Sequence, residues 1–276
     1  MTERKPYLAI CAIYRWDADY LREWIAFHRI VGAERFYLYD NGSDDDHLEA
    51  LAPFLEDRSV VLHEWPFFPG QPSAYEHCLE HYRDGARWIA FLDTDEFLFS
   101  PTGRPVSELL VDFERWPGVG VNRVVMGTSG HRSKPPGLVI ENYVHRLDDP
   151  DPNLTIKTIV DPARVERRLN PHAFAYKDGA LAVDEHMVPF ERWVTRSHTT
   201  DVLRINHYYT KSEDEALLKF ARPHPGTGRP RPVVSRNGLR RFNERYGVRD
   251  DTILMHLPAL REELRRLERR AAGRPS

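Results

Sequence analysis

The stretch Arg87-Trp88-Ile89-Ala90-Phe91-Leu92-Asp93-Thr94-Asp95-Glu96-Phe97 runs an apolar segment straight into an acidic turn. An apolar run of this length, bounded by turn residues, predicts a strand buried on both faces, the kind found inside parallel sheets. A lone D-x-D is more often an acidic turn or a helix cap than a ligand site. Here three carboxylates close a buried strand, and their mutual repulsion calls for a cation or ligand to compensate it. At a strand end that turns, carboxylates at i and i+2 can converge on a hard divalent cation and its bound phosphates.

Upstream the same pattern repeats. Tyr7 to Tyr14 (YLAICAIY) predicts a first buried strand, with Asp17 as cap of the following helix. In that helix Tyr20, Leu21, Trp24, Ile25, Phe27, His28 and Val31 recur near helical spacing, and Gly32 stands where a left-handed C-terminal cap belongs. Arg35 to Tyr39 reads as a second strand ending in the turn Asp40-Asn41-Gly42-Ser43, with Asp44 as the next cap. A helix near 45–55, a strand at 59–64 and a helix near 73–82 lead back to the Arg87 strand. Four strands with three intervening helices predict an open, mainly parallel, doubly wound α/β sheet, whose ligands bind outside the strands' carboxyl ends. Both acidic clusters, Asp40 to Ser43 and Asp93 to Glu96, fall at such ends.

Beyond residue 100 the pattern loosens. Val106 to Phe113 reads as helix and Gly118 to Met126 as strand, and 138–209 mixes short strand-like runs with turns, which favours mixed or antiparallel structure. Asp214 to Ala221 is helical, Pro223 to Pro232 is a Pro/Gly/Arg loop, and the tail from Leu257 to Arg270 is a charged helix with a thin leucine stripe. The expected organisation is one domain over 1–222, followed by a loop and helical extension over 223–276.

Composition narrows the function. The 276 residues are 41% hydrophobic and 29% charged, enough for a packed core. With 39 basic and 42 acidic residues the net charge is −3, so no overall positive field draws the chain to nucleic acid. Six of the 39 bases are lysine, the rest arginine. Two cysteines, Cys11 and Cys78, both in apolar contexts, predict buried thiols and a cytoplasmic setting. The longest apolar run is far short of the roughly 20 residues of a membrane helix, which leaves peripheral association as the open membrane relation. No Gly-x-Gly-x-x-Gly follows the first strand and no Walker A sequence occurs, which disfavours dinucleotide oxidoreductases and P-loop kinases. In Asn206-His207-Tyr208-Tyr209-Thr210-Lys211-Ser212, His207 could complete a metal site with Asp93 and Asp95, and Lys211 could neutralise a diphosphate. Spacing alone would make His207 a buried structural residue.

Taken together, these residues carry a resemblance. The segments Glu23-Trp24-Ile25-x-x-His28 with Gly32, Phe36-Tyr37-Leu38-Tyr39-Asp40-Asn41-x-Ser43, Trp88 to Phe97, Gly127-Thr128-Ser129-Gly130-His131, Lys157-x-Ile159 with Pro162 and His172, and Asn206 to Ser212 resemble, in order, those of glycosyltransferase family 92 and related bacterial family-2-like glycosyltransferases. They span roughly residues 8 to 220. The resemblance implies a GT-A fold, with a Rossmann-like nucleotide-sugar half beside a mixed acceptor half. It implies transfer of a hexose, by family weight galactose, from a UDP-sugar to a glycan or glycolipid hydroxyl with Mn²⁺ or Mg²⁺. Asp95 would then be the direct metal ligand, Asp93 would lie nearer the ribose, and His207 would be the late metal ligand. Ile13, Arg15 and Asp40, with the Ser43 turn, would form the uridine pocket. Lys157 would face the diphosphate and Gly127 to His131 the acceptor. Met126 departs from the aromatic residue that often precedes that stretch in related sequences.

An inverting transferase also needs a carboxylate to take the acceptor proton. Asp184 and Glu185 are the nearest fit before His207, with Asp178 and Glu141 in reserve, and a retaining mechanism is the alternative. Two rival readings stand beside this one: a metal-dependent nucleotidyltransferase, although the Gly-rich basic loop that would hold a triphosphate is absent, and a non-catalytic nucleotide- or glycan-binding protein.

Overall fold

The computed structural model describes residues 4–147, 155–224 and 226–272. Its first half alternates strand and helix: β1 (Leu8–Tyr14), α1 (Ala18–Ile30), β2 (Arg35–Asp40), α2 (His47–Glu56), β3 (Val60–Glu64), α3 (Gln71–His81) and β4 (Trp88–Phe91). After the acidic turn come β5 (Glu96–Phe99), α4 (Val106–Leu109), β6 (Gly118–Val125), α5 (Val139–Asn142), β7 (His145–Arg146), β8 (Ile156–Val160), β9 (Val165–Asn170) and β10 (Ala173–Tyr176). The chain ends with β11 (Arg204–His207), α6 (Glu213–Ala221), α7 (Arg236–Asn243), β12 (Val248–Arg249) and α8 (Leu257–Ala272).

Eight strands form one mixed sheet in the order β3-β2-β1-β4-β8-β6-β11-β5. The half made of β3, β2, β1 and β4 is parallel throughout. It is the doubly wound unit expected from the strand-helix alternation. In the other half β8 runs antiparallel to both β4 and β6, β11 runs parallel to β6, and β5 runs antiparallel to β11. This is the mixed structure that the looser pattern predicts.

Every residue of β1 is buried because both sheet faces are covered. Leu8, Ile10 and Ala12 point into a core shared with Leu21, Trp24 and Phe27 of α1, Leu51 and Phe54 of α2, and Leu260 and Leu267 of α8. Ala9, Cys11 and Ile13 point the other way, toward Ala74, Tyr75 and Cys78 of α3 and toward Phe174 and Tyr176 of the β9–β10 hairpin. This alternation is the two-residue period of a strand read out on two separate cores. Gly32 has φ +106, and a Cβ there would fall 2.1 Å from Ser107 Oγ, so glycine ends α1 for conformational and steric reasons together. Asp17, expected as a helix cap, makes no capping bond. Its carboxylate instead accepts from Thr94 Oγ1 at 2.7 Å. Among the described residues no helix is long and apolar enough to cross a membrane.

Candidate active site

The acidic turn leaves β4 at Leu92 and re-enters the sheet at once as β5. Two side chains of α1 pin it from behind. Trp24 Nε1 donates to the Glu96 carbonyl at 2.8 Å, and His28 Nε2 accepts from the Leu98 N–H at 3.1 Å. Glu23 accepts from the N–H groups of Val139 and Ile140 at 2.8 and 3.2 Å, tying α1 to α5. Burial pushes the Glu23 carboxyl up to about 7, against those two donors, and holds the His28 imidazole down at about 3. The Glu-Trp-Ile-x-x-His segment is thus a bracket that fixes the D-x-D strand end in place.

Within the turn each carboxylate meets a cation drawn from a distant element. Asp93 Oδ2 lies 2.8 Å from Lys157 Nζ of β8, and its Oδ1 accepts from Gln71 Nε2 of α3 at 2.9 Å. Glu96, fully buried, lies 3.3 Å from Lys157 and 3.3 Å from Arg123 of β6. Burial works against the Lys157 charge, but Asp93 and Glu96 overcome it and raise the ammonium above its usual range. Asp95 divides its oxygens: Oδ1 faces His207 Nε2 at 3.5 Å, and Oδ2 takes Lys219 Nζ of α6. Burial opposes the Asp95 charge as well, yet Lys219 and His207 hold the carboxyl well below its ordinary value.

Asp95 and His207 therefore meet, although 112 positions separate them (207 minus 95). They come together because β5 and β11 are antiparallel neighbours, with Glu96 opposite His207. A carboxylate beside an imidazole offers one oxygen and one nitrogen donor to a divalent cation, the oxygen being the donor type that Mn²⁺ and Mg²⁺ favour. Asp93, turned toward Lys157, does not close a three-ligand shell with them. Among the described residues, the group of three that brings its ligand atoms within 4.8 Å is Glu185, His186 and Asp201, with Glu185 buried and the other two exposed.

The remaining expected residues fall as follows. Ile13 is buried at the end of β1, and a Cβ on Gly70 would lie 3.0 Å from its Cδ1 and 2.6 Å from Asn41 Nδ2. Asp40 Oδ1 accepts from the Ser43 N–H at 2.9 Å, and Ser43 Oγ accepts from the Trp16 N–H at 3.0 Å, so this pair knits the β2 turn to the β1 turn. Arg15 is exposed, with its guanidinium 4.0 Å from the Trp16 ring centre, and Arg222 approaches the same ring at 4.4 Å. An open cleft of about 840 Å³ lies beside them, lined among others by Trp16, Asp19, Arg22, Asp45 and Arg222. Lys211 Nζ sits 3.3 Å from the Tyr20 ring centre; burial lowers its pKa and Asp17 opposes the shift. In the Gly127 to His131 segment, Gly127 packs so closely on Tyr246 that a Cβ would fall 2.7 Å from its ring.

Asp184 and Glu185 do not reach this end of the sheet. Val183 bridges to Val119, near the start of β6, and Glu185 accepts from the N–H groups of Asp201, Val202 and Leu203 just before β11 begins. Four residues of strand, roughly 13 Å at 3.3 Å each, separate Leu203 from His207. Asp184 Oδ1 accepts from the His186 and Val188 N–H groups at 2.9 Å each. Both carboxylates hold a loop together, at the far end of β11 from His207. Of the reserves, Asp178 sits on a positive-φ turn and Glu141 pairs with Arg261 of α8.

Sequence reasoning missed Gln71, Arg123 and Lys219. No local pattern in the sequence marks Lys219. Only six lysines occur in the chain, and three of them, Lys157, Lys211 and Lys219, gather around this turn.

Comparison with known proteins places the sequence in a family. The profile of glycosyltransferase family 92 matches residues 6–224. A glycosyltransferase family 92 protein of Oryza sativa subsp. japonica is 30% identical over 263 residues, covering 88% of this chain and 43% of the relative. The beta-1,4-galactosyltransferase galt-1 of Caenorhabditis elegans is 24% identical over 223 residues, covering 74% of this chain and 48% of the relative. The chain thus spans less than half the length of these two curated relatives. Among solved structures, Staphylococcus aureus TarS 1–349 superposes with a TM-score of 0.38 at 12% identity, covering 57% of this chain and 47% of that one.

Proposed function

This chain belongs to glycosyltransferase family 92, and on that premise we propose that it moves a hexose, galactose first, from a UDP-sugar to a glycan hydroxyl in a metal-dependent reaction. The sheet is read as a GT-A fold, with the parallel half taking the nucleotide and the mixed half the acceptor. The observation that carries the proposal is the pairing of Asp95 with His207 at the carboxyl end of the parallel half. That is where an open α/β sheet binds its ligand.

In this reading Asp95 and His207 hold Mn²⁺ or Mg²⁺, which would supply Lewis acidity to the departing diphosphate. Asp93, steadied by Gln71 and Lys157, faces the ribose. Ile13 and the Asp40–Ser43 turn floor the uridine pocket, Arg15 flanks it, and Lys211 lends positive charge from the Tyr20 side. The named galactosyltransferase relative makes a β-1,4 linkage. Making a β-linkage from an α-linked sugar nucleotide requires inversion, which supports a single displacement here.

The test is product identity. The protein, incubated with UDP-galactose and a β-linked galactan oligosaccharide in Mn²⁺, should release UDP and extend the oligosaccharide. Asp95→Asn and His207→Ala should remain folded, lose Mn²⁺-linked UDP binding, and lose turnover by roughly 10²-fold or more. Pyrophosphate from UTP and galactose 1-phosphate would instead identify a nucleotidyltransferase. UDP binding without turnover on any acceptor would identify a binding protein.

A further inference from the structure

Lys219 differs from the other two lysines of the site in what holds it. Lys157 is 1% exposed and lies between two carboxylates, Asp93 and Glu96, so its ammonium is locked into the structure. Lys211 rests on the Tyr20 ring and faces Asp17. Lys219 is 30% exposed and reaches Asp95 from the last turn of α6 on a flexible four-carbon stem. Its Nζ also donates to the Tyr209 carbonyl at 2.9 Å and sits 4.4 Å from the Tyr209 ring centre.

Those contacts tie Lys219 to the segment that carries His207. Tyr209 lies two residues after His207, and the Tyr208 N–H donates to the Asp95 carbonyl at 2.8 Å. Imidazole, carboxylate and ammonium therefore share one backbone junction. Any cation drawn to Asp95 and His207 meets a carboxylate that already carries an ammonium on its second oxygen. Just beyond Lys219 the chain crosses toward Asp93: a Cβ on Gly226 would lie 3.0 Å from Gln71 Oε1, and Gln71 holds Asp93. The lysine thus stands between the two carboxylates' surroundings, with solvent access and a partner it can leave.

We propose that Lys219 is the resident counter-ion of Asp95 in the donor-free protein, and that it gives Asp95 up to the divalent cation and moves onto the donor's diphosphate. The inference rests on the metal-dependent UDP-sugar reading. It adds a residue whose two partners alternate: a compact ammonium with three rotatable donors suits both a carboxylate and a phosphate oxygen. It also assigns the diphosphate contact to Lys219 instead of Lys211, because Lys211 is held under Tyr20.

Calorimetry on the full chain separates the two halves of the idea, using Mn²⁺ alone, UDP in saturating Mn²⁺, and uridine. Lys219→Met keeps the stem that packs on Tyr209 and deletes the charge. It should bind Mn²⁺ alone roughly fivefold tighter, because a competitor has gone, and UDP roughly tenfold more weakly, because a phosphate contact has gone. Uridine affinity should not change. Lys219→Arg should bind Mn²⁺ as weakly as wild type and keep most of the UDP affinity, and Lys219→Gln substitutes for the methionine variant if that one melts early. Mn²⁺ affinity that stays level or falls on loss of the charge overturns the proposal, as does an equal loss for UDP and uridine. If wild type shows Mn²⁺-linked UDP binding and the charge-deleted variant matches it, this inference alone fails. A wild type that binds neither Mn²⁺ nor UDP removes the metal-dependent UDP-sugar reading together with it.

Discussion

His28 Nε2 accepts the Leu98 N–H at 3.1 Å, while its Nδ1 faces the Trp24 carbonyl at 2.8 Å. The first bond requires a neutral ring with the proton on Nδ1, and it joins the last turn of α1 to the strand that follows the D-x-D.

His28→Gln should therefore lower the unfolding free energy by about 1–3 kcal/mol at pH 8, the cost of a buried N–H left with a poorer partner. The folded imidazole titrates near 3, against about 6.5 in the unfolded chain. Its stabilising contribution is therefore complete above pH 6.5 and is lost as pH falls from there toward 3. Urea melts at pH 8 and pH 5 should show the gap between wild type and variant narrowing at the lower pH. A gap that stays constant would mean that the ring is not held neutral in the fold.

Glu185→Ala separates a loop-holding role from a catalytic one. It leaves the Asp201, Val202 and Leu203 N–H groups without their acceptor. We expect at least about 2 kcal/mol of lost stability, with UDP binding and turnover per folded molecule retained. A thermal midpoint that stays put while turnover falls by about 10²- to 10⁴-fold would return Glu185 to the role of acceptor base.

Lys157→Met fills similar space but strips Asp93 of its ammonium and leaves Glu96 with Arg123 alone. The expected loss is about 3–5 kcal/mol, the range for stripping one partner from a buried ion pair. Pairing it with Asp93→Asn should recover part of that loss in denaturant melts, since the double variant carries one fewer uncompensated carboxylate. Additive losses would show that the two side chains are energetically independent despite their 2.8 Å separation.

The parallel half was legible because its strands are runs such as LAICAIY and WIAF, apolar on both faces and separated by clear turns. β5 was not, because its first residue, Glu96, continues an acidic turn and only its pairing with β11 makes it a strand. β9 reads VERRLN, with charges on its exposed side, so no apolar run announced it. At the site, the D-x-D and His207 stood out by residue type and family order. Lys219 did not, since a lysine in an amphipathic helix looks like part of its solvated face until α6 is docked against Asp95. Asp184 and Glu185 were singled out by position along the chain. Their spacing before His207 suited a base, but spacing along the chain does not say which end of a strand a loop will occupy.

Asp93, Asp95 and Glu96 are consecutive or nearly so in the chain, whereas the cations that meet Glu96 and Asp95 lie 27 residues later, at Arg123, and 124 residues later, at Lys219. On a ribosome adding about 5–20 residues per second, the acidic turn emerges several seconds before its last counter-charge exists. During that interval the β1–β4 unit can collapse around its apolar strands, while the carboxylates at its rim still repel one another and need water. The local, early-forming half of the molecule therefore cannot bury its own working end. That step belongs to the long-range contacts of β8, β11 and α6, which carry the larger loop-closure entropy and come last.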